Sequence, residues 1–140
     1  MIHRSYTDDE IVALLRNNGV QPTSQRISIT RVLFQQTNHL SADDIFRMVS
    51  EGNRRVSKAT VYNTLGMLTE LGIIRQVITD PARIFYDPNA KPHHHFFDVG
   101  TGKLSDIDAS SVEISGLPAL PAGTRLEGVD VIVRLRSVAK

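Results

Sequence analysis

Three consecutive histidines, His93, His94 and His95, stand between Pro92 and the run Phe96-Phe97-Asp98. Imidazole is the commonest protein ligand for transition metals, and its charge changes near neutral pH. In an extended strand, alternation sets His93, His95 and Phe97 on one face and His94, Phe96 and Asp98 on the other. The first face then offers an H-x-H pincer; solvated histidines at a polar strand entry are the plainer alternative. Further donors are His39, Asp87 and Asp106. With His93 and His95 they make three imidazoles and two carboxylates. Two negative charges balance a divalent cation, and mixed nitrogen and oxygen donors suit Fe(II), Mn(II) or Zn(II), whereas all-oxygen sites favour Mg or Ca. Each partner also has a bland use: His39 as a helix C-terminal cap, Asp87 in a turn before Pro88, Asp106 as a solvent-facing strand residue. The chain contains no cysteine, which excludes disulfides, thiolate zinc sites and cysteine redox sensing.

A second chemistry is written into Ser57-Lys58-Ala59-Thr60-Val61-Tyr62-Asn63-Thr64. As the N-terminal part of a helix, this stretch carries small residues that permit close approach to DNA. Ser57 and Thr60 are suited to phosphates or base edges, Asn63 to bidentate reading of adenine, and Tyr62 lies on the same outward face. Arg26, Arg31 and Lys58 suit backbone phosphates, and Arg75 and Arg83 suit a wing beside the minor groove. An ordinary solvated helix face, or a protein-contact surface, is the competing reading.

The elements that must position these residues follow from periodicity and caps. Asp8-Asp9-Glu10 is an acidic first turn before Ile11, Val12, Leu14 and Leu15, with Gly19 as the stop, which predicts a helix over 8–18. Thr23 or Ser24 caps a second helix with Ile27, Ile29, Val32, Leu33 and Phe34. Ser41 caps a third, closed by Gly52, and Ser57 caps a fourth over 58–71, ended by Gly72. Residues 73–78 and 83–86 flank a turn and predict a hairpin. Helices followed by a two-stranded ribbon are the winged-helix plan. Asp87 to Pro92, with two prolines and no periodicity, reads as a hinge. Beyond it, 94–99 and 103–107 predict a second hairpin around Gly100-Thr101-Gly102, 110–115 a short helix limited by Pro118 and Pro121, and 129–138 a last strand. The expected fold class is therefore α+β: an N-terminal winged helix-turn-helix over 1–86, a hinge at 87–92, and a small α/β dimerisation and metal-sensing domain over 93–140. Exposed edges in so small a mixed sheet predict pairing with a second copy.

The 140 residues suffice for a real core, 41% of them apolar and 22% charged. No apolar run approaches a membrane span and the N-terminus lacks the apolar core of a signal peptide, so a cytoplasmic protein is expected. Net charge is +1, with ten Lys/Arg against eight Asp/Glu up to Tyr86 and six against seven after it. Overall charge thus announces no nucleic acid, and a DNA reading rests on arrangement. No H-E-x-x-H or comparable base stands beside the histidines, so an enzyme is not expected.

Four segments together resemble the ferric uptake regulator family of metal-dependent bacterial repressors: Gly19 to Arg26, His39 to Asp44, Ser57 to Leu65, and the histidine stretch with Gly102-Lys103. The resemblance runs from about Ile11 to Leu135. It implies a homodimer on a palindromic operator in double-stranded DNA, with metal held at the positions of His39, Asp87, His93, His95 and Asp106. It also implies departures. The first C-x-x-C pair of the family's structural zinc falls at Asp98 and Thr101, so no four-cysteine zinc is expected, and a second metal or haem site would retain only His94 and Glu113. Tyr62 to Leu65, His93 to Asp98 and Val129 to Arg136 look most like the iron response regulators, which adds haem as a candidate signal carried by histidine alone. Aspartates at Asp87 and Asp106 are similar to the peroxide-sensing branch, where oxidation of the residues matching His39 and His93 is the alternative mode of action. A metal-independent winged-helix interaction module is the remaining alternative.

Overall fold

The computed structural model describes residues 6–35, 39–52, 55–80 and 82–138. The chain divides into two compact units, Met1–Ala90 and Lys91–Lys140. The first holds four helices, α1 (Asp8–Asn17), α2 (Ser24–Gln35), α3 (Ala42–Glu51) and α4 (Lys58–Glu70), and a sheet of β1 (Leu40–Ser41), β2 (Arg75–Asp80) and β3 (Arg83–Asp87).

Caps set the helix boundaries. Thr7 and Glu10 form a reciprocal capping box at α1, as do Ser41 and Asp44 at α3, and Ser57 Oγ accepts the Thr60 N–H at α4. Two helices end where glycine alone takes the turn without strain. Gly19 and Gly72 adopt φ of 75° and 73°. Val20 N–H then reaches Leu15 O at 2.8 Å and Ile73 N–H reaches Leu68 O at 3.0 Å, closing Schellman turns. Across the start of the bundle Arg31 binds Asp8 at 2.7 Å, so this arginine, expected among the phosphate contacts, is engaged within the fold.

The apolar stripes meet in one cluster. Ile11, Leu15, Ile29, Ile45, Val61, Leu65 and Leu68 are wholly buried in it, each contributing roughly 1.5–3 kcal/mol relative to exposure. Ile74, just before β2, and Tyr86 of β3 cover its margin. Strand β3 lies centrally in the order β1-β3-β2. In the β2–β3 hairpin Gln76 stands opposite Tyr86 and Val77 opposite Phe85, with a register irregularity between Ile78 and Asp80.

The second unit is a sheet of β4 (His94–Asp98), β5 (Leu104–Ile107) and β6 (Ile132–Leu135) in the order β5-β4-β6. Strand β4 pairs antiparallel with β5 and parallel with β6. The helix expected over 110–115 is reduced to a 3-10 turn at Ala109–Ser111. Val112 is already extended, Gly116 takes φ 76°, and Pro118 and Pro121 lack the N–H a helix needs. The strand expected over 129–138 contracts to four residues, because β4 offers only five with which to pair. No helix among the described residues is long and apolar enough to cross a membrane.

Two consequences are measurable. Thr30 on α2 is fully buried, and its Oγ1 has no hydrogen-bond partner among the described residues. Burying an unsatisfied hydroxyl costs about 1–3 kcal/mol, so isosteric Thr30→Val should raise the urea midpoint by about 1 kcal/mol of stability; a lowered midpoint would show that the hydroxyl has a partner after all. Burial pushes the Tyr86 phenol above its ordinary 10.0, opposed by the Gln76 side-chain hydrogen bond and reinforced by Tyr62. The raised value favours the neutral phenol in the folded state, so its contribution is intact below pH 10 and lost as pH climbs through the folded pKa. Alkaline absorbance titration should show one of the three tyrosines lagging behind free phenol, and Tyr86→Phe should abolish that lag.

Candidate metal centre and nucleic-acid interface

Strand register places one donor pair in the first unit. Leu40 opposes Tyr86 and Ser41 opposes Phe85, and continuing this antiparallel ladder by one step sets His39 beside Asp87. His39 Nε2 and Asp87 Oδ2 are 3.0 Å apart. Asp87 is 2% exposed, and a carboxylate so far from water stays charged only among donors. Asn89 N–H supplies another, 2.9 Å from Asp87 Oδ1.

The second unit uses the same device. His95 opposes Asp106 across β4 and β5, and His93, two residues earlier, shares its face. The Nε2 atoms of His95 and His93 stand 3.3 Å and 3.5 Å from Asp106 Oδ1, with ring centroids 4.5 Å apart. His93 Nδ1 lies 2.7 Å from the carbonyl oxygen of Lys91. A carbonyl only accepts, so Nδ1 carries the proton, and in the neutral ring Nε2 turns a lone pair toward a carboxylate oxygen. That arrangement is repulsive unless a cation or a second ring proton lies between. A neutral imidazole oriented through its other nitrogen, beside a carboxylate, is the ordinary preparation of a metal ligand. The donor set therefore fits Fe(II), Mn(II) or Zn(II) and offers no soft thiolate.

The remaining predicted positions are His94 and Glu113. His94, buried on the opposite face, accepts the Val131 N–H on Nδ1 at 3.1 Å, while Val131 O receives the His95 N–H at 3.1 Å. It therefore fastens the entry to β6, and Glu113 lies exposed on the extended segment after the 3-10 turn. At the site of the missing cysteine pair, Asp98 Oδ1 accepts N–H bonds from Gly100 at 2.8 Å and Thr101 at 3.1 Å. A side chain bonding its own backbone thus closes the turn.

Helix α4 presents the candidate DNA face. Lys58, Tyr62 and Asn63 are exposed, and Thr60 is half-buried. Ser57, besides capping, shares a hydrogen bond of 2.9 Å with Thr60 Oγ1. A cleft of about 300 Å³ between the starts of α2 and α4 is lined by Thr23, Gln25, Arg26, Thr60 and Asn63. Within it Arg26 donates to Gln21 O at 3.0 Å. Arg75 is half-buried on β2 and Arg83 exposed on β3. Sequence reasoning missed β1, too short to show a pattern, and missed that Asp43 of α3 touches both Lys58 and Tyr62; its position in an acidic first turn signalled only helix capping.

A helix-turn-helix with a ribbon wing, followed by a small sheet bearing clustered imidazole and carboxylate, defines a class of DNA-binding regulators. The model of the ferric uptake regulator family matches residues 17–128. The peroxide-responsive repressor PerR of Staphylococcus aureus is 33% identical over 99 residues, spanning 71% of this chain and 67% of that protein. Among solved structures, the Helicobacter pylori ferric uptake regulator superposes with a TM-score of 0.70 at 22% identity, covering 97% of this chain and 95% of its own. The Pseudomonas aeruginosa ferric uptake regulator with manganese gives 0.69 at 21%, covering 89% and 96%. A zinc-bound manganese uptake regulator gives 0.69 at 22%, covering 91% and 98%. The chain belongs to the ferric uptake regulator family, whose members are DNA-binding transcription regulators and not enzymes.

If His94 is a fastener of β6, His94→Ala orphans the Val131 N–H and should cost about 1–3 kcal/mol. Hydrogen exchange at Val131 and along β6 should accelerate; unchanged protection there would show that the strand holds without it.

Proposed function

We propose that this protein is a metal-sensing repressor that binds palindromic operators as a homodimer, and that His39, Asp87, His93, His95 and Asp106 share one divalent ion, Fe(II) or Mn(II), with Zn(II) able to substitute in vitro. The observation that carries this reading is the convergence of His93 and His95 Nε2 on Asp106 Oδ1, electron-rich atoms that call for a cation. The His39–Asp87 pair supplies donors of the same kind. A bound ion would add positive charge beside these carboxylates. The imidazoles, held by strand register and by the Lys91 carbonyl, would bind it without large side-chain reordering. In this reading residues 1–86 form the DNA-binding domain, 87–92 the hinge, and 93–140 the sensing and dimerisation domain. Arg26, Ser57, Lys58, Thr60, Tyr62, Asn63, Arg75 and Arg83 face the operator. Dimerisation has support in Ile114, Leu117, Leu120 and Leu126, all exposed on a segment without regular structure, and in the outer positions of β5 and β6.

If the metal-bound form is the one that binds the operator, metal and operator strengthen each other's binding by the same factor. Mn(II) titration of the full chain should therefore give tighter binding in the presence of operator. Asp87→Ala and Asp106→Ala should each weaken Mn(II) binding by roughly tenfold or more. Loss of Mn(II) affinity in Asp106→Ala with none in Asp87→Ala or His39→Ala would mean that the first-unit pair is not part of the site. Haem gains no separate support among the described residues, since His94 Nδ1 is already engaged by Val131. The similarity to the Staphylococcus aureus peroxide-responsive repressor favours one second reading, in which peroxide is the signal. Peroxide treatment of the Fe(II)-loaded protein should then add oxygen to a peptide containing His39 or His93 and release DNA, with the Mn(II)-loaded protein resisting both. Unmodified histidines after release would exclude it.

A further inference from the structure

Asp43 is an acidic residue on a face read as facing DNA, where phosphate should repel it. It is the second residue of α3, where a carboxylate suits the helix N-terminus, but the capping box is completed by Ser41 and Asp44 between themselves. Its Oδ1 accepts instead from Tyr62 Oη at 3.4 Å and lies 3.8 Å from Lys58 Nζ. Lys58 Nζ also stands 5.7 Å from the centroid of the Phe46 ring, so the ammonium rests between an α3 carboxylate and an α3 aromatic face. Both residues held by Asp43 belong to the outward face of α4.

The ion pair is largely solvent-exposed, with Lys58 and Asp43 side chains 64% and 71% accessible. Pairs of this kind add little to stability, so the fold does not depend on it and a phosphate can displace it. Sequence-blind DNA binding consists almost entirely of phosphate neutralisation by Lys and Arg. A carboxylate seated on one of those cations cancels its charge and must be removed before it can serve. At an operator, base contacts from α4 offset that removal; on arbitrary DNA nothing does.

We propose that Asp43 determines selectivity: its carboxylate competes with nucleic-acid phosphate for Lys58 and Tyr62 and so suppresses binding to non-operator DNA. This rests on the reading of α4 as the DNA face. The test is fluorescence anisotropy of the Mn(II)-loaded full chain with a duplex of arbitrary sequence, over a range of KCl concentrations. Asp43→Asn should bind that duplex about threefold to tenfold more tightly at low salt, with a log–log salt slope steeper by about one. In a Lys58→Gln background the same change should give a much smaller gain. A residue with only a structural role would move binding the other way, since disturbing α3 and α4 weakens the interface. If Lys58→Gln weakens binding while Asp43→Asn leaves it unchanged or weaker, the proposal is overturned and the DNA face stands. If neither substitution alters affinity or slope, the assignment of α4 to DNA fails and the proposal with it.

Discussion

An imidazole set against a carboxylate by antiparallel strand register is the interaction on which the rest of this structure depends. Among the described residues it is found in each unit, as His39 beside Asp87 at the end of the β1–β3 ladder and as His95 opposite Asp106 across β4 and β5. Side chains on facing strand positions are held close together without long flexible reach, so ring orientation is set by backbone pairing. Asp87, His93 and His95 are nearly inaccessible to water. Groups of this polarity persist in such surroundings only when something of opposite character answers them. A metal ion at these positions, as proposed above, would meet that requirement.

The helical part is built to present rather than to bury. Three capped N-termini and two glycine-closed C-termini set the lengths of the helices, and one apolar stripe from each enters the common core. What remains outward on α4 is a short polar sequence beginning at its own cap. Ser57 satisfies the first turn and, in the proposed reading, also offers a hydroxyl to a DNA backbone. Its neighbours Lys58 and Tyr62 are tied to α3 through Asp43, so the exposed surface is an arranged set of contacts and not a row of independent side chains.

Where the family resemblance would set its first C-x-x-C pair, this chain holds the turn by other means. Asp98 bonds the N–H groups of Gly100 and Thr101, and Gly102 takes φ 76°, so the β4–β5 connection closes from within its own sequence. His94 does comparable work at the other side of β4, holding Val131 where β6 begins. A residue read from sequence as a ligand candidate thus serves as a fastener.

The helices and both hairpins could be read directly from the chain, because caps, glycines and apolar spacing act over a few residues. His93 and His95 could be named as candidate donors from residue type and alternation, and His39, Asp87 and Asp106 from residue type; the family resemblance sharpened that choice, and their sharing of one ion is the proposal made above. Beyond reach were features that depend on residues distant in sequence. Two residues at Leu40–Ser41 become a strand only because β3 offers a free side, and that pairing carries His39 to Asp87. The region after Ile107 was expected to contain more regular structure than it has, since its helix ends at Ser111 and its last strand is trimmed to the length of β4. Asp43 looked like one more acidic residue in a first helical turn. Only the packing of α3 against α4 decided that its carboxylate faces Lys58 and Tyr62, because the angle between two helices is set by the whole core and by no local signal.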